Sequence, residues 1–134
     1  MLWSTKYLTG NKEIDNDHKE IFAMVKDIID QNFIDRGEKI TKVMEFLAQY
    51  TIRHFAREEA LMKESNYPDI EEHKQQHAEF VKAIGALIEK IKTQGDTINI
   101  SIEVNDTAVG WLVSHVLGSD KKMAEYYKEW KQNK

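Results

Sequence analysis

Residues 40–62 read ITKVMEFLAQYTIRHFAREEALM, and within them Ile40, Val43, Leu47, Tyr50, His54, Glu58, Leu61 and Met62 recur mostly at spacings of three and four. That period puts them in one stripe along an α-helix. The stripe is apolar through Leu47, turns polar at His54 and Glu58, and becomes apolar again at Leu61. Burying an imidazole or a carboxylate without a partner costs on the order of several kcal/mol, so the polar interruption asks for a reason. The helix is expected over 38–65 and should stop before Pro68, because a residue that precedes proline, here Tyr67, is pushed away from helical angles.

The same reading extends in both directions. Upstream, Ile21, Phe22, Val25, Ile28 and Ile29, with Asn32, mark a helix over 17–36, with Asp15 or Asp17 to cap its start and Gly37 to end it. Downstream, a third helix over 69–93 follows the turn at Pro68, presents Ile70, His73, His77, Phe80, Ile84, Leu87 and Ile91 inward, and ends near Gly95. The stretch Thr93–Glu103 alternates weakly through Ile98, Ile100 and Ile102, but a lone strand has nothing to pair with, so it reads as a loop. A fourth helix over 105–130 passes through Ala108, Trp111, Leu112, His115, Met123, Tyr126 and Tyr127. Four amphipathic helices with mostly short connections predict an all-α, antiparallel up-down-up-down four-helix bundle. It would form one domain over 1–134, with residues 1–16, rich in aromatic side chains at Trp3 and Tyr7, as an ordered N-terminal arm.

Composition agrees and narrows the function. With 6 glycines and 1 proline in 134 residues, the chain lacks the punctuation of a many-stranded fold. A formal charge of −4, with lysines interleaved among acids, argues against a nucleic-acid partner. There is no run of apolar residues long enough to span a membrane and no signal-peptide pattern, so a cytoplasmic location is expected. The absence of cysteine excludes thiolate metal sites and iron–sulfur clusters.

What remains is nitrogen and oxygen chemistry on the inner stripes. His54 and Glu58, and likewise His73 and His77, are pairs one helical turn apart, so each pair stacks on one face. His18 opens the first helix and His115 lies one turn after Trp111, so all five histidines of the chain fall on the inward side of four helices. A single inward histidine is usually a satisfied core residue, and His18 alone would read as a surface position; five together do not. In an antiparallel bundle their depths agree, toward one end. Imidazole and carboxylate suit iron, zinc, manganese or copper, and ligand softness does not choose among them. Five imidazoles with a carboxylate exceed one tetrahedral zinc, which implies a two-metal site.

The chain resembles the hemerythrin family from Trp3 to the neighbourhood of Tyr127. Thr9, Gly10, Ile14, Asp15 and His18 resemble the family's N-terminal signature, and His54, Phe55, Glu58 and Glu59 its His-Phe-x-x-Glu-Glu element. Met62, Tyr67, Pro68, His73 and His77 follow at family spacing, and Trp111, Leu112, His115 and Asp120 match the closing motif. The resemblance implies that His73, His77 and His115 bind one iron and His18 and His54 the other, while Glu58 and Asp120 bridge both alongside an oxo or hydroxo group. The first iron would then have six donors and the second five, and the open position is where dioxygen would bind. Phe22, Phe55, Trp111 and Leu112 are most simply core residues, and they are also the expected lining of a dioxygen pocket.

Two features stand apart from the pattern. Asp17 occupies a position where many relatives carry Gln. Asp120 follows His115 by five residues, which on an ideal helix turns it about 140° away, and Gly118 and Ser119 between them lower helix propensity. Asp120 must reach the site from the flank or through a local bulge. The resemblance thus implies reversible dioxygen binding, as carrier, store or oxygen-responsive module, with no enzymatic turnover. The alternatives are a diiron oxidase, peroxidase or nitric-oxide scavenger, and a signalling domain acting with a partner in trans. The Glu-x-x-His pairs of ferritin-like diiron enzymes are missing at these positions.

Overall fold

A computed structural model of the chain describes residues 3–30, 37–94, 102–103 and 105–134. It is all-α, with α1 at Lys12–Asp30, α2 at Gly37–Glu64, α3 at Ile70–Gln94, and α4 over residues 105–132. The expected end of the first helix, Asn32 in its stripe, Gly95, and Ile98 and Ile100 lie outside the described residues. Ile102, expected in a loop, is helical and exposed.

The start of α1 corrects the expectation that Asp15 or Asp17 caps it and that the arm runs to residue 16. Asn11 is the cap: its side-chain oxygen accepts from the Ile14 N–H at 3.1 Å. Asp15, already helical, turns its carboxylate back onto the Thr9 N–H and hydroxyl, both at 2.8 Å, and onto the Gly10 N–H. Gly10 supplies the positive φ of 90° that this reversal needs. The arm is therefore shorter, with a single 3₁₀ turn at Thr5–Tyr7, and Trp3 and Tyr7 pack edge-on against Phe22.

Helix α2 ends before Pro68 as the sequence predicts, through a motif that the sequence alone does not specify. Asn66 adopts a left-handed φ of 54°, the Tyr67 N–H bonds to the Met62 carbonyl, and the Asn66 N–H bonds to the Lys63 carbonyl. Tyr67 and Met62 then join one apolar cluster, which closes the turn on its hydrophobic side.

Contacts across the helices fix the topology. Asp17 meets His54 while Glu13 meets Arg57, Glu59 meets His77 while Glu45 meets Lys92, and Gln76 meets Ser119 while Lys90 meets Glu103. In each pair one number rises as the other falls, so sequential helices run antiparallel. The α1–α2 contact of Glu58 with His18 and the diagonal α2–α4 contact of Glu64 with Tyr127 lie in the same half of the bundle. Two apolar clusters fill the interior. The larger holds Ile21, Phe22, Leu47, Phe80, Ile84 and Val116, and the smaller holds Ile14, Met62, Tyr67 and Met123. On every helix the buried histidines, with Glu58 and Asp120, fall in sequence between a member of the larger cluster and a member of the smaller one, so they form one layer between them. No described helix is long and apolar enough to cross a membrane.

Candidate metal centre

The layer draws His18 from α1, His54 and Glu58 from α2, His73 and His77 from α3, and His115 and Asp120 from α4, each at most 5% exposed. The pairs on α2 and α3 meet because a regular helix brings residue i+4 over residue i. Asp120 needs more. Helix α4 carries a π-helical segment at Val116–Asp120, where the Lys121 N–H reaches the Val116 carbonyl five residues back. The wider turn absorbs one extra residue, and Asp120 arrives over His115, with Oδ1 2.9 Å from His115 Nε2. A second π segment occupies Asn105–Val109, ahead of the α-helical stretch Gly110–His115.

The two carboxylates divide the layer. Glu58 turns Oε1 toward His77 Nε2 at 3.0 Å and His73 Nε2 at 3.6 Å, and Oε2 toward His54 Nε2 at 3.3 Å and His18 Nε2 at 3.8 Å. Asp120 likewise turns Oδ1 toward His73 and His115, at 3.0 and 2.9 Å, and Oδ2 toward His18 at 2.9 Å. Donor atoms of Glu58, His73, His77, His115 and Asp120 lie within 4.8 Å of one another, as do those of His18, His54, Glu58 and Asp120.

Apart from the His73 Nε2–Asp120 Oδ1 bond, these short approaches are poor hydrogen bonds. His18 Nε2, His54 Nε2, His77 Nε2, His115 Nε2, both Glu58 oxygens and Asp120 Oδ2 are buried with no partner in hydrogen-bonding geometry. Protein interiors seldom leave so many polar atoms unsatisfied in one place. The donor set fits cations instead. Donors about 2.1 Å from one ion and at right angles to each other lie roughly 3 Å apart, close to most of the separations above.

Electrostatics point the same way. Burial would lower the pKa of His54, but the charge of Glu58 and the hydrogen bond to Asp17 raise it to about 10. Burial is likewise outweighed at His73, where the hydrogen bond to Asp120 and the nearby Glu58 carboxylate raise the value to about 9. Burial pushes both Glu58 and Asp120 upward, and the charge of Asp120 adds to this at Glu58, yet the surrounding imidazoles hold Glu58 below the ordinary carboxylate range and Asp120 well below it. The two carboxylates call for positive charge, from imidazolium protons or from metal ions that displace them.

The expected pocket residues fall in two groups. Phe55 lies flat on His77, with centroids 3.9 Å apart and planes at 6°, and Trp111 stacks on His115 at 4.3 Å and 16°. Phe22 packs with Trp3 and Tyr7, and Leu112 joins the same large core cluster. Three further side chains, to which the sequence analysis gives no such role, hold the imidazoles from behind. His77 Nδ1 bonds to Glu59 at 2.9 Å, His115 Nδ1 bonds to Gln76 Oε1 at 2.8 Å, and Ser119 donates to that same oxygen at 2.7 Å. Asp17, expected as a cap, instead accepts from His54 Nδ1 at 2.8 Å.

The chain is similar to known proteins along most of its length. The model of the hemerythrin HHE cation binding domain matches residues 9–127. A hemerythrin-like protein of Naegleria gruberi is 31% identical over 121 residues, covering 90% of this chain and 87% of its own length. A myohemerythrin of Theromyzon tessulatum is 30% identical, over 90% of this chain and 88% of its own, and a bacteriohemerythrin of Pseudomonas aeruginosa is 29% identical, over 90% and 76%.

Proposed function

The chain belongs to the hemerythrin family, and from that premise we propose that its buried layer holds two iron ions and binds dioxygen reversibly. His73, His77 and His115 serve one ion and His18 and His54 the other, while Glu58 and Asp120 span both. The observation that carries this reading is the split of each carboxylate, one oxygen toward each group of imidazoles. A single ion would leave half of those oxygens without use. Bridged iron would supply two electrons for dioxygen and, on the two-histidine side, one open position.

The surrounding residues favour binding over turnover. Enzymes that cleave an O–O bond usually place a proton donor within hydrogen-bond reach. Here Asp17, Glu59 and Gln76 are bonded to the outer nitrogens of the imidazoles, and other polar chains around the layer are engaged elsewhere: Arg57 reaches Glu13 and Asp17, Asp69 pairs with Lys122, and the Thr51 hydroxyl donates to the Ala48 carbonyl. Lys74 is exposed. Apolar clusters close the layer above and below and keep water out. The residues thus orient the donors, exclude solvent and withhold protons, so dioxygen leaves as it came.

The test is an anaerobic cycle on the iron-loaded protein. Reduced protein should be nearly colourless, develop a visible absorption band in air, and lose it under vacuum with both irons ferrous again. Irreversible oxidation at each dose of dioxygen, or sustained consumption of a reductant, would replace this reading with an enzymatic one.

A further inference from the structure

The imidazoles are not backed equally. On the three-histidine side, His77 is held by Glu59 and His115 by Gln76, and Gln76 is itself fixed by Ser119. On the two-histidine side, His18 Nδ1 is buried with no partner among the described residues, so the His54–Asp17 bond is the one outer contact of that pair. Asp17 is built for this task. It is 7% exposed, and its carboxylate meets three successive turns of α2: Tyr50 Oη donates to Oδ1 at 3.3 Å, while His54 Nδ1 and Arg57 Nε approach Oδ2 at 2.8 and 3.4 Å. Residues 50, 54 and 57 share one helix face, so the carboxylate is clamped before any ion arrives.

We propose that Asp17 is the positioning residue of the two-histidine site, which fixes the His54 ring with Nε2 facing the metal and makes occupancy of that site depend on an outer carboxylate. The inference rests on the two-metal reading above. A carboxylate behind a ligating imidazole fixes its tautomer and raises its basicity, and its loss typically weakens metal binding by roughly 10- to 100-fold. The three-histidine site has a third imidazole and two separate outer partners, so it should not share this dependence.

Stepwise titration of the metal-free full chain with Co(II), followed by visible absorption, resolves the two sites. The wild type should take up two equivalents. In Asp17→Ala the second should weaken by roughly 10- to 100-fold with the first unchanged, and in Asp17→Asn, which keeps a neutral acceptor, by less. Tyr50→Phe, which loosens the clamp, should cause a smaller loss in the same step, whereas Glu59→Gln should act on the first equivalent. Melting of the metal-free variants identifies any that fail to fold, and the near-isosteric Asn variant then carries the test. An undisturbed second step in Asp17→Asn and Tyr50→Phe, or equal weakening of both steps, overturns the inference while leaving two metals in the wild type. A wild type that takes up a single equivalent overturns the two-metal reading itself, and this inference with it.

Discussion

The two halves of the polar layer share Glu58 and Asp120 but are supported in different ways. His77 and His115 each lie under a flat aromatic ring, Phe55 and Trp111, and each is tied at Nδ1 to a side chain behind it. His18 and His54 meet each other edge to face at 4.7 Å, with a single outer bond between them among the described residues. One half is thus redundant in donors, stacking and outer hydrogen bonds, and the other is spare in all three. The difference fits the proposed function, in which one ion would be held fast and the other would keep a position free for a ligand.

The largest effect should follow from removing what the halves share. Glu58→Ala takes an oxygen from both positions at once, so iron should fall from two per chain to below one. The stabilisation that bound metal lends the fold, about 4 kcal/mol when free metal is 1,000 times its dissociation constant, should fall with it. Full retention of a coupled iron pair in Glu58→Ala would refute the bridging role.

A finer comparison sets one histidine from each half side by side. His115→Ala leaves two imidazoles and both carboxylates at its position, the same complement as the intact two-histidine side, so two irons should remain, bound more weakly. His18→Ala leaves one imidazole, and iron should drop to about one per chain, at a ratio that analysis of metal and protein reads directly. The reverse ranking would mean that the roles of the halves are exchanged.

Much of this was legible in the sequence because periodicity reports burial. His54, Glu58, His73 and His77 stand where apolar residues belong, and no alignment is needed to see that. Asp120 is different. A π turn shifts the register by one residue, and periodic reading assumes a constant turn, so only Gly118 and Ser119 hinted at the irregular stretch. Asp17 looked like a cap because caps are read from residue type next to the first periodic position. Thr9, Gly10 and Asn11 moved the helix start upstream and turned Asp17 inward. Gln76 carried no signal of its own, and Glu59 only its place in the His-Phe-x-x-Glu-Glu element. Each sits beside a member of the layer, Glu58 or His77, and its role exists only across a helix interface.

The most direct test of a two-iron centre is the metal content of protein purified from iron-replete cells without chelators, combined with magnetic susceptibility. Two irons per chain, antiferromagnetically coupled in the oxidised form, are the expected result, since Glu58 and Asp120 each offer one oxygen to either half. One zinc per chain, or irons that behave as independent ions, would contradict it.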